Sequence, residues 1–347
     1  MNVKARHRLM RAVLLLSLVM HFALAVGQDT DPPVIILNAP ANEEITTNHF
    51  MQLSTTVNDD TPPMSVWIYG GTDSDPQTLL LADTNVSDDA TLTFDWNARR
   101  LNSETGTMGL WHLDNYGSST VYDSSGNTND GSFLGDASWT WDGRFGYAIE
   151  FDGSDCALSI PDDNSLDVGS TGALTVEAWI YPYSVGGGNY RTIVAKRYTT
   201  VNYQVSLNAD DGNLLFYNGN ISEIKISDVT VSANTWSYIA VTIDATSGDV
   251  IFYLDGVPGD TMTGAGFGVA NDNPLCIGAK NDSLGQAFYG LMDEIRLTSR
   301  VLSASKIAAN YELGTGNYYW KVVAEDSENN SATSATWTFT VSDLLPT

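Results

Sequence analysis

Acidic side chains have the most capacity for chemistry in this sequence, because 42 Asp and Glu residues stand against only 16 Lys and Arg. Glu150 and Asp152 come closest to a catalytic pair, since the alternation of a β-strand places both on one face. A retaining glycoside hydrolase needs two carboxyl groups about 5 Å apart across the sugar. Gly153 and Ser154 predict a turn that ends the strand before Asp155 can join the pair. The spacing therefore disfavours a glycoside hydrolase.

Histidine and cysteine offer no alternative catalytic centre. His112 would have to serve any Ser-His-Asp triad, yet it lies on the predicted first strand of the central segment and the sequence has no Gly-x-Ser-x-Gly motif. A packed or half-exposed strand residue is the simpler interpretation of His112. Two isolated cysteines cannot supply the four ligands of a structural zinc site. We therefore expect a protein without enzymatic activity.

The composition excludes several further classes of protein. A net charge of −26 gives a surface that repels the phosphate groups of nucleic acids and of anionic membranes. The 9 Trp, 16 Tyr and 11 Phe residues can fill a large core, so the chain is not expected to be disordered. We expect no nucleic-acid partner.

Residues 1–27 have the three parts of a secretory signal peptide: a basic start, an apolar run and small residues before a cleavage site. The apolar run is shorter than the roughly 20 residues of a membrane-spanning helix. We expect a secreted protein, either extracellular, on the cell surface or in a periplasm, with no membrane insertion after cleavage. In such an oxidising compartment, Cys156 and Cys276 are expected to form a disulfide bond.

Short strands separated by Gly, Asn, Asp and Ser fill almost the whole chain and predict an all-β fold. Five strands are expected near the start and two near the end, where Tyr318 lies in a segment similar to the sixth strand of bacterial Ig-like and fibronectin type III-like modules. Seven strands complete an immunoglobulin-like sandwich. We predict one discontinuous sandwich, 28–104 plus 313–343, interrupted by a separate domain at 105–312. The alternative, a half-domain at each end, would leave sheet edges open.

The interrupting segment carries ordered motifs, namely Gly109–Leu113, Asp123–Asn127, Gly143–Gly146, Ala148–Gly153, Leu174–Ile180, Trp236–Thr242, Phe252–Gly256, Leu275–Gly278 and Phe288–Arg296. Together they resemble a laminin G-like jelly roll of the concanavalin A-like superfamily. The resemblance implies an antiparallel jelly-roll sandwich whose first and last strands share a sheet. The ends of such a domain emerge close together, which suits insertion into a loop of the outer sandwich.

Calcium is the one ion that the sequence favours, because acidic, oxygen-rich turns suit a hard cation. The resemblance implies that Asp293 lies close to Asp152 and Asp155, which together form one candidate site. Asn281 and Asp282 form the other, in a loop similar to the calcium loop of the pentraxins, a related jelly-roll family. The alternative is that these side chains cap turns by hydrogen bonds to the backbone.

Candidate ligand-binding residues lie in loops. The loop tryptophans Trp139 and Trp141 could stack on sugar rings or pack beneath their loop. Residues on or near a glycine-rich turn form the main candidate patch, which comprises Tyr183, Tyr190, Arg191, Tyr198, Asn202 and Tyr203.

These observations favour a secreted, non-catalytic binding or adhesion module whose jelly roll binds a polysaccharide, a glycoprotein or another cell-surface ligand. Two alternatives stay open. One is a structural spacer of a larger extracellular assembly, and the less favoured one is a glycoside hydrolase.

Overall fold

The computed structural model describes residues 29–47, 51–96, 100–169, 172–185, 189–208, 210–219 and 224–342. Regular structure in these ranges consists of β-strands, one short 3₁₀ turn and one α-helix, so the predicted all-β fold is confirmed. Neither helical segment in the described ranges is long and apolar enough to cross a membrane. The predicted signal peptide lies outside the described residues.

The described ranges contain 25 strands and one α-helix. The first six strands are β1 (Val34–Ala39), β2 (Glu44–Thr46), β3 (Met51–Asn58), β4 (Met64–Gly71), β5 (Thr78–Val86) and β6 (Ala90–Trp96). The next sixteen are β7 (Thr107–Trp111), β8 (Thr120–Val121), β9 (Gly131–Leu134), β10 (Ser138–Thr140), β11 (Ala148–Asp152), β12 (Ala157–Ile160), β13 (Ala173–Pro182), β14 (Arg191–Arg197), β15 (Val201–Leu207), β16 (Asn213–Tyr217), β17 (Lys225–Thr230), β18 (Ser237–Asp244), β19 (Asp249–Leu254), β20 (Val257–Met262), β21 (Leu275–Ile277) and β22 (Tyr289–Thr298). The last elements are the helix α1 (Ala304–Tyr311), β23 (Gly316–Glu325), β24 (Ser331–Thr333) and β25 (Trp337–Val341).

The first six and the last three strands form one two-layered unit, here named the terminal sandwich. One layer has the strand order β1-β3-β6, and the other has the order β2-β25-β23-β4-β5 with β24 beside β23. Strands β4 and β23 pair from Ser65 opposite Glu325 to Gly71 opposite Tyr319. Strands from both ends of the described chain therefore share a sheet.

The terminal sandwich has nine strands in the described residues where seven were expected. The two additional strands, β2 and β24, contain three residues each, which is too short to show an alternating pattern in the sequence. The immunoglobulin-like identity of this sandwich stays a prediction.

Strands β7–β22 form a second sandwich of two eight-stranded sheets, here named the central domain. The back sheet has the order β10-β11-β22-β13-β18-β19-β20, with β7 beside β22. The front sheet has the order β17-β16-β15-β14-β21-β12-β9-β8. The first strand pairs with the last, and Thr107 lies opposite Thr298 where the chain enters and leaves. The predicted antiparallel jelly roll is confirmed.

Alternation along β13 separates two hydrophobic clusters. Leu174, Val176 and Ile180 face the front sheet and belong to the core of the jelly roll. Trp179 points the other way and belongs to a second cluster that continues through Ile307 of α1 into the terminal sandwich. Because this second cluster is continuous, burial of apolar surface joins the two sandwiches.

A buried ion pair lies beneath the helix. Arg296 Nε donates to Glu177 Oε2 at 2.7 Å, and both side chains are almost fully inaccessible to solvent. Glu177 Oε1 accepts from the Tyr238 hydroxyl (2.5 Å) and from Asn310 Nδ2 of α1 (2.7 Å). Arg296 Nη1 also donates to the backbone carbonyl of Asn102, in the segment between the sandwiches (2.7 Å). These bonds fix the helix and that segment to the back sheet.

Replacing Glu177 by Gln should leave Arg296 charged and buried without its partner. Breaking a buried ion pair in this way costs about 3–5 kcal/mol. We expect the free energy of unfolding to fall by about 3 kcal/mol, measured by urea unfolding. The exposed Glu328→Gln variant is the matched control and should unfold like the wild type. Equal stability of the two variants would contradict this account.

Acidic and basic side chains also meet around Asp293 on β22. Its Oδ2 accepts the N–H of Phe145 at 2.8 Å, while Oδ1 has no hydrogen-bond partner among the described residues. Burial, reinforced by the charges of Glu294 and Asp114, raises the pKa of Asp293 well above its usual value. Arg100 lies 2.5 Å from Asp114 and 3.9 Å from Glu294. Protonation of Asp293 is therefore favoured in the folded protein.

Asp293→Asn keeps an acceptor for the Phe145 N–H. It removes a carboxyl group whose ionisation is opposed by burial and by the charges of Glu294 and Asp114. A carboxyl group with a raised folded-state pKa stabilises the protein below its unfolded pKa of about 3.9, and this contribution is lost as the pH rises through the folded-state pKa. We expect the variant to be more stable than the wild type at about pH 8 and equally stable at about pH 4. Urea unfolding at both pH values tests this, with the exposed Asp272→Asn as control. A variant that is less stable at the higher pH contradicts it.

Cys156 and Cys276 are free thiols, so the predicted disulfide bond is wrong. In the paired strands β12 and β21, Cys276 lies opposite Ser159, three residues along the strand from Cys156. Three strand residues span about 10 Å, whereas the Cα atoms of a disulfide lie within about 7 Å. An odd offset also reverses the side-chain direction, and Cys156 points into the jelly-roll core.

Burial raises the pKa of both thiols to about 12, so neither forms a reactive thiolate at neutral pH. We expect the native protein to leave Ellman's reagent unreacted, and two thiols per chain to react after unfolding in guanidinium. Mass spectrometry of the alkylated, non-reduced protein provides a second measurement. Detection of a peptide linked through Cys156 and Cys276 would disprove the assignment.

Candidate functional site

A groove on the outer face of the front sheet collects aromatic and polar side chains. Its volume is about 160 Å³. The lining comes from β14–β16 and from adjacent loops, and comprises Tyr190, Arg197, Gln204, Leu215, Tyr217, Ile224 and Gln286. It is named the front groove below.

Strand alternation explains which side chains reach the front groove. On β15, Tyr203 and Val205 point into the jelly-roll core, so Gln204 between them points outwards. On β16, Phe216 points inwards and Tyr217 outwards. Gln204 and Tyr217 lie directly opposite each other in the paired strands. The sheet register therefore brings an amide and an aromatic ring together.

A hydrogen-bond network fixes the amide of Gln204. Its Nε2 donates to Gln286 Oε1 (2.9 Å) and to Ser206 Oγ (2.7 Å), and its Oε1 accepts from Arg197 Nη1 (2.6 Å). Gln286 belongs to the loop after β21, and its backbone carbonyl accepts the N–H of Thr192 on β14 at 2.9 Å. The groove is thus preorganised by contacts between the sheet and one loop.

Arg197 supplies the positive charge of the front groove. Its guanidinium carbon lies 5.2 Å from the centre of the Tyr217 ring, a cation–π distance. Burial lowers the pKa of Arg197, and an arginine side chain nonetheless stays charged at neutral pH. No ion pair joins it to a carboxylate of the described residues, and within them its Nε–H has no hydrogen-bond acceptor. The front groove therefore holds a guanidinium that no carboxylate of the described residues neutralises.

The predicted ligand patch is divided by the structure. Tyr190 lines the front groove. Tyr198 is 49% exposed, and its hydroxyl lies 3.4 Å from Ser283 Oγ. Arg191 donates to the backbone carbonyl of Ala287 at 3.2 Å. Tyr183 is directed to the back sheet, where its hydroxyl donates to Glu150 Oε1 at 2.8 Å. Arg191 and Tyr183 both contact the ring of Tyr289, whereas Tyr190 is the one member of these four that lines the front groove.

Asn202 and Tyr203, expected to face a ligand, are structural residues instead. Tyr203 is fully buried, and its hydroxyl donates to the carbonyl of Leu166 at 2.9 Å. The Asn202 amide bonds both the N–H and the carbonyl of Val168 at 2.9 Å. The correction follows from strand direction, since Tyr203 lies on the core side of β15.

The two loop tryptophans also differ. Trp139 lies on β10, packs against the jelly-roll core and donates its indole N–H to the carbonyl of Ser118 at 2.9 Å. Trp141 is 40% exposed and contacts the rings of Tyr116 and Tyr147. Of this pair, Trp141 alone presents a broad ring to solvent.

The first candidate calcium site does not form. Asp152 lies opposite Tyr289 in the paired strands, whereas Asp293 lies four residues further along β22, about 13 Å away. Asp152 instead accepts the hydroxyl and the N–H of Ser154. These bonds hold the pKa of Asp152 well below its usual range. The expected convergence of Asp152, Asp155 and Asp293 is therefore wrong.

The second calcium candidate lies in the loop that carries Gln286. Asn281 is buried and its Oδ1 accepts the N–H of Ser283 at 3.2 Å, while Asp282 is exposed. Calcium binding by Asn281 and Asp282 stays a prediction. Elsewhere, carboxylate oxygens that could hold a cation lie within 4.8 Å of one another on Asp29, Asp59 and Asp326 of the terminal sandwich.

His112 follows β7, and its Nδ1 lies 2.9 Å from Glu294 Oε1. The ring is partly exposed, while Glu294 is fully buried. No serine hydroxyl is among the hydrogen-bond partners of the His112 ring that the described residues provide. His112 therefore packs against β22 from the residue just after β7, rather than from the strand on which it was predicted to lie.

No sequence motif indicated the main residues of the front groove. Arg197, Gln204, Tyr217 and Gln286 lie on four different segments and meet only through the register of β14–β16 and the fold of one loop. The available signal was the outward position of Gln204, a large amide between two apolar residues of a strand.

Comparison with known families supports the jelly-roll assignment. Residues 152–308 match the family described as the concanavalin A-like lectin/glucanases superfamily. Over these residues the central domain is similar to the jelly rolls of that superfamily. Among curated proteins, none matches the sequence.

Several solved structures are similar to this chain. Domain 4 of AbnA, an extracellular arabinanase of Geobacillus stearothermophilus solved with arabinotriose, has a TM-score of 0.48 and 20% identity, over 61% of this chain and 100% of that domain. The binding domain of Paraclostridial Mosquitocidal Protein 1 has a TM-score of 0.48 and 18% identity, over 58% of this chain and 51% of that one. The receptor-binding domain of the botulinum neurotoxin C/D mosaic serotype has a TM-score of 0.48 and 14% identity, over 59% and 51%. The chain thus spans about half of these two toxin domains.

Proposed function

We propose that the protein is a non-catalytic binding module that holds a glycan in the front groove, with a carboxylate-bearing sugar unit on Arg197. The observation that carries the proposal is the half-buried guanidinium of Arg197, which rests on Tyr217 without a carboxylate partner among the described residues. A partly desolvated cation of this kind is stabilised when an anionic acceptor replaces the water it has lost. The planar donors of arginine suit the two oxygens of a carboxylate.

The other groove residues suit the remainder of a sugar. Tyr190 and Tyr217 offer aromatic rings and hydroxyls, which can contact the apolar face and the hydroxyls of a sugar ring. Gln286 offers an amide beside them. The described lining contains no carboxylate, whereas glycoside hydrolysis needs two, and this supports binding rather than cleavage.

The cellular setting belongs to the same proposal. The signal-peptide pattern of residues 1–27 supports a secreted or cell-surface protein whose partner is a polysaccharide or a glycoprotein. The terminal sandwich, which we propose to be immunoglobulin-like, presents the central domain. A spacer without a ligand is the competing function, and it gives no reason for a preorganised arginine at the front groove.

Isothermal titration with 3′-sialyllactose and trigalacturonic acid tests the groove. We expect one of these acidic probes to bind, and Arg197→Gln and Tyr217→Ala each to weaken that binding by about tenfold. Arg197→Lys should also bind the probe weakly, because lysine lacks the planar guanidinium that can donate to both oxygens of a carboxylate. Rising salt concentration should weaken binding of the acidic probe to the wild type, because salt screens the attraction between the charges.

The matched control is Arg300→Gln, which removes an exposed arginine of the central domain and should bind like the wild type. Equal affinity of Arg197→Gln and the wild type, or no binding of either probe, would rule out the proposed site. Release of reducing sugar that Glu150→Gln abolishes would point to hydrolysis instead.

A further inference from the structure

A second recess, here named the junction cleft, lies where the terminal sandwich meets the central domain. Its volume is about 470 Å³. Trp96 and Tyr318 of the terminal sandwich and Phe145 of the central domain form part of its apolar lining, and Gln77 and Asn102 contribute amides. The cleft therefore requires both sandwiches, and its size suits a ligand of several rings rather than one.

Three aromatic rings on the central domain form a surface cluster, here named the aromatic ledge. The ring centroids of Tyr116 and Tyr147 lie 4.9 Å apart, and Trp141 lies 4.6 Å from Tyr147. Tyr116 is 53% exposed and Trp141 is 40% exposed. Large exposed rings in mutual contact on a polar surface mark a place where a partner binds.

The aromatic ledge and the junction cleft share a wall. Arg100 lines the cleft, and its Nη2 donates to the carbonyl of Phe145 at 2.9 Å. The same guanidinium pairs with Asp114 at 2.5 Å, and Asp114 Oδ1 accepts the N–H of Tyr147 at 3.1 Å. Two successive polar contacts thus connect the cleft lining to the backbone of the ledge.

We propose that the junction cleft and the aromatic ledge together form a second binding surface, which takes a neutral oligosaccharide. Aromatic rings pack on the C–H faces of sugars, and amides bond their hydroxyls. Exposed Tyr116 and Trp141 supply the rings, while Gln77 and Asn102 supply the amides. The proposal goes beyond the front groove and does not depend on it.

Charge distinguishes the two surfaces. Arg100 in the junction cleft pairs with Asp114 and lies 3.9 Å from Glu294, so its positive charge is already compensated. The cleft lining also includes the carboxylate of Asp73. An anionic sugar would gain no electrostatic stabilisation from such a site, whereas a neutral sugar does not depend on it. Arg197 in the front groove has no such compensation among the described residues.

Affinity electrophoresis of the full chain tests the second surface, in native gels that contain linear arabinan, arabinoxylan, barley β-glucan or galactomannan. We expect at least one polysaccharide to retard the wild type. The double variant Tyr116→Ala/Trp141→Ala should lose about tenfold in affinity, and so should Gln77→Ala/Asn102→Ala within the cleft. The matched control is Tyr122→Ala, which removes a ring that is 48% exposed and lies outside the ledge.

The outcomes separate this proposal from the first one. Tyr217→Ala should be retarded like the wild type, because it alters only the front groove. If no polysaccharide retards the protein, if both double variants migrate like the wild type, or if Tyr217→Ala alone abolishes retardation, the second surface is disproved. Urea unfolding of each variant verifies folding. Binding of the acidic probes at Arg197 is measured separately, by isothermal titration.

Discussion

The buried pair of Glu177 and Arg296 is the interaction on which the two-sandwich arrangement depends. Glu177 accepts from the back sheet through Tyr238 and from the helix α1 through Asn310. Arg296 bonds the segment between the sandwiches at Asn102. A charge pair removed from water requires all of these bonds at once, because each unsatisfied group would be costly. The pair therefore sets where the helix lies, and the helix completes the apolar cluster that joins the sandwiches.

The two proposed surfaces differ in whether carboxylates lie next to their arginine. In the front groove, strand register places Arg197 over Tyr217 and beside an amide, with no acid of the described residues to neutralise it. In the junction cleft, Arg100 is held between Asp114 and Glu294 and acts as part of the wall. Arg197 is thus the proposed recognition group, whereas Arg100 is a structural group. The presence or absence of neighbouring carboxylates accounts for this difference.

Sequence patterns predicted the fold better than the site. Strand alternation and ordered motifs indicated an all-β chain with a jelly roll, because burial on one face leaves a period of two in the sequence. They could not indicate that Cys276 lies opposite Ser159, or that Gln204 lies opposite Tyr217, since pairing between distant strands depends on tertiary register. The direction of the Tyr203 side chain was likewise not predictable from the sequence, because a residue beside a loop can still point into the core.

The pairing of Thr107 with Thr298 has a mechanical consequence. The chain enters and leaves the central domain at adjacent points, while β1 and β25 both belong to the terminal sandwich. A pulling force applied to the polypeptide on either side of the described residues would pass through the terminal sandwich and bypass the jelly roll. The load would act first on β1, which pairs with β3, and on β25, which pairs with β23 and runs parallel to β2. The front groove, whose lining belongs to the central domain alone, would keep its shape while the protein is under tension.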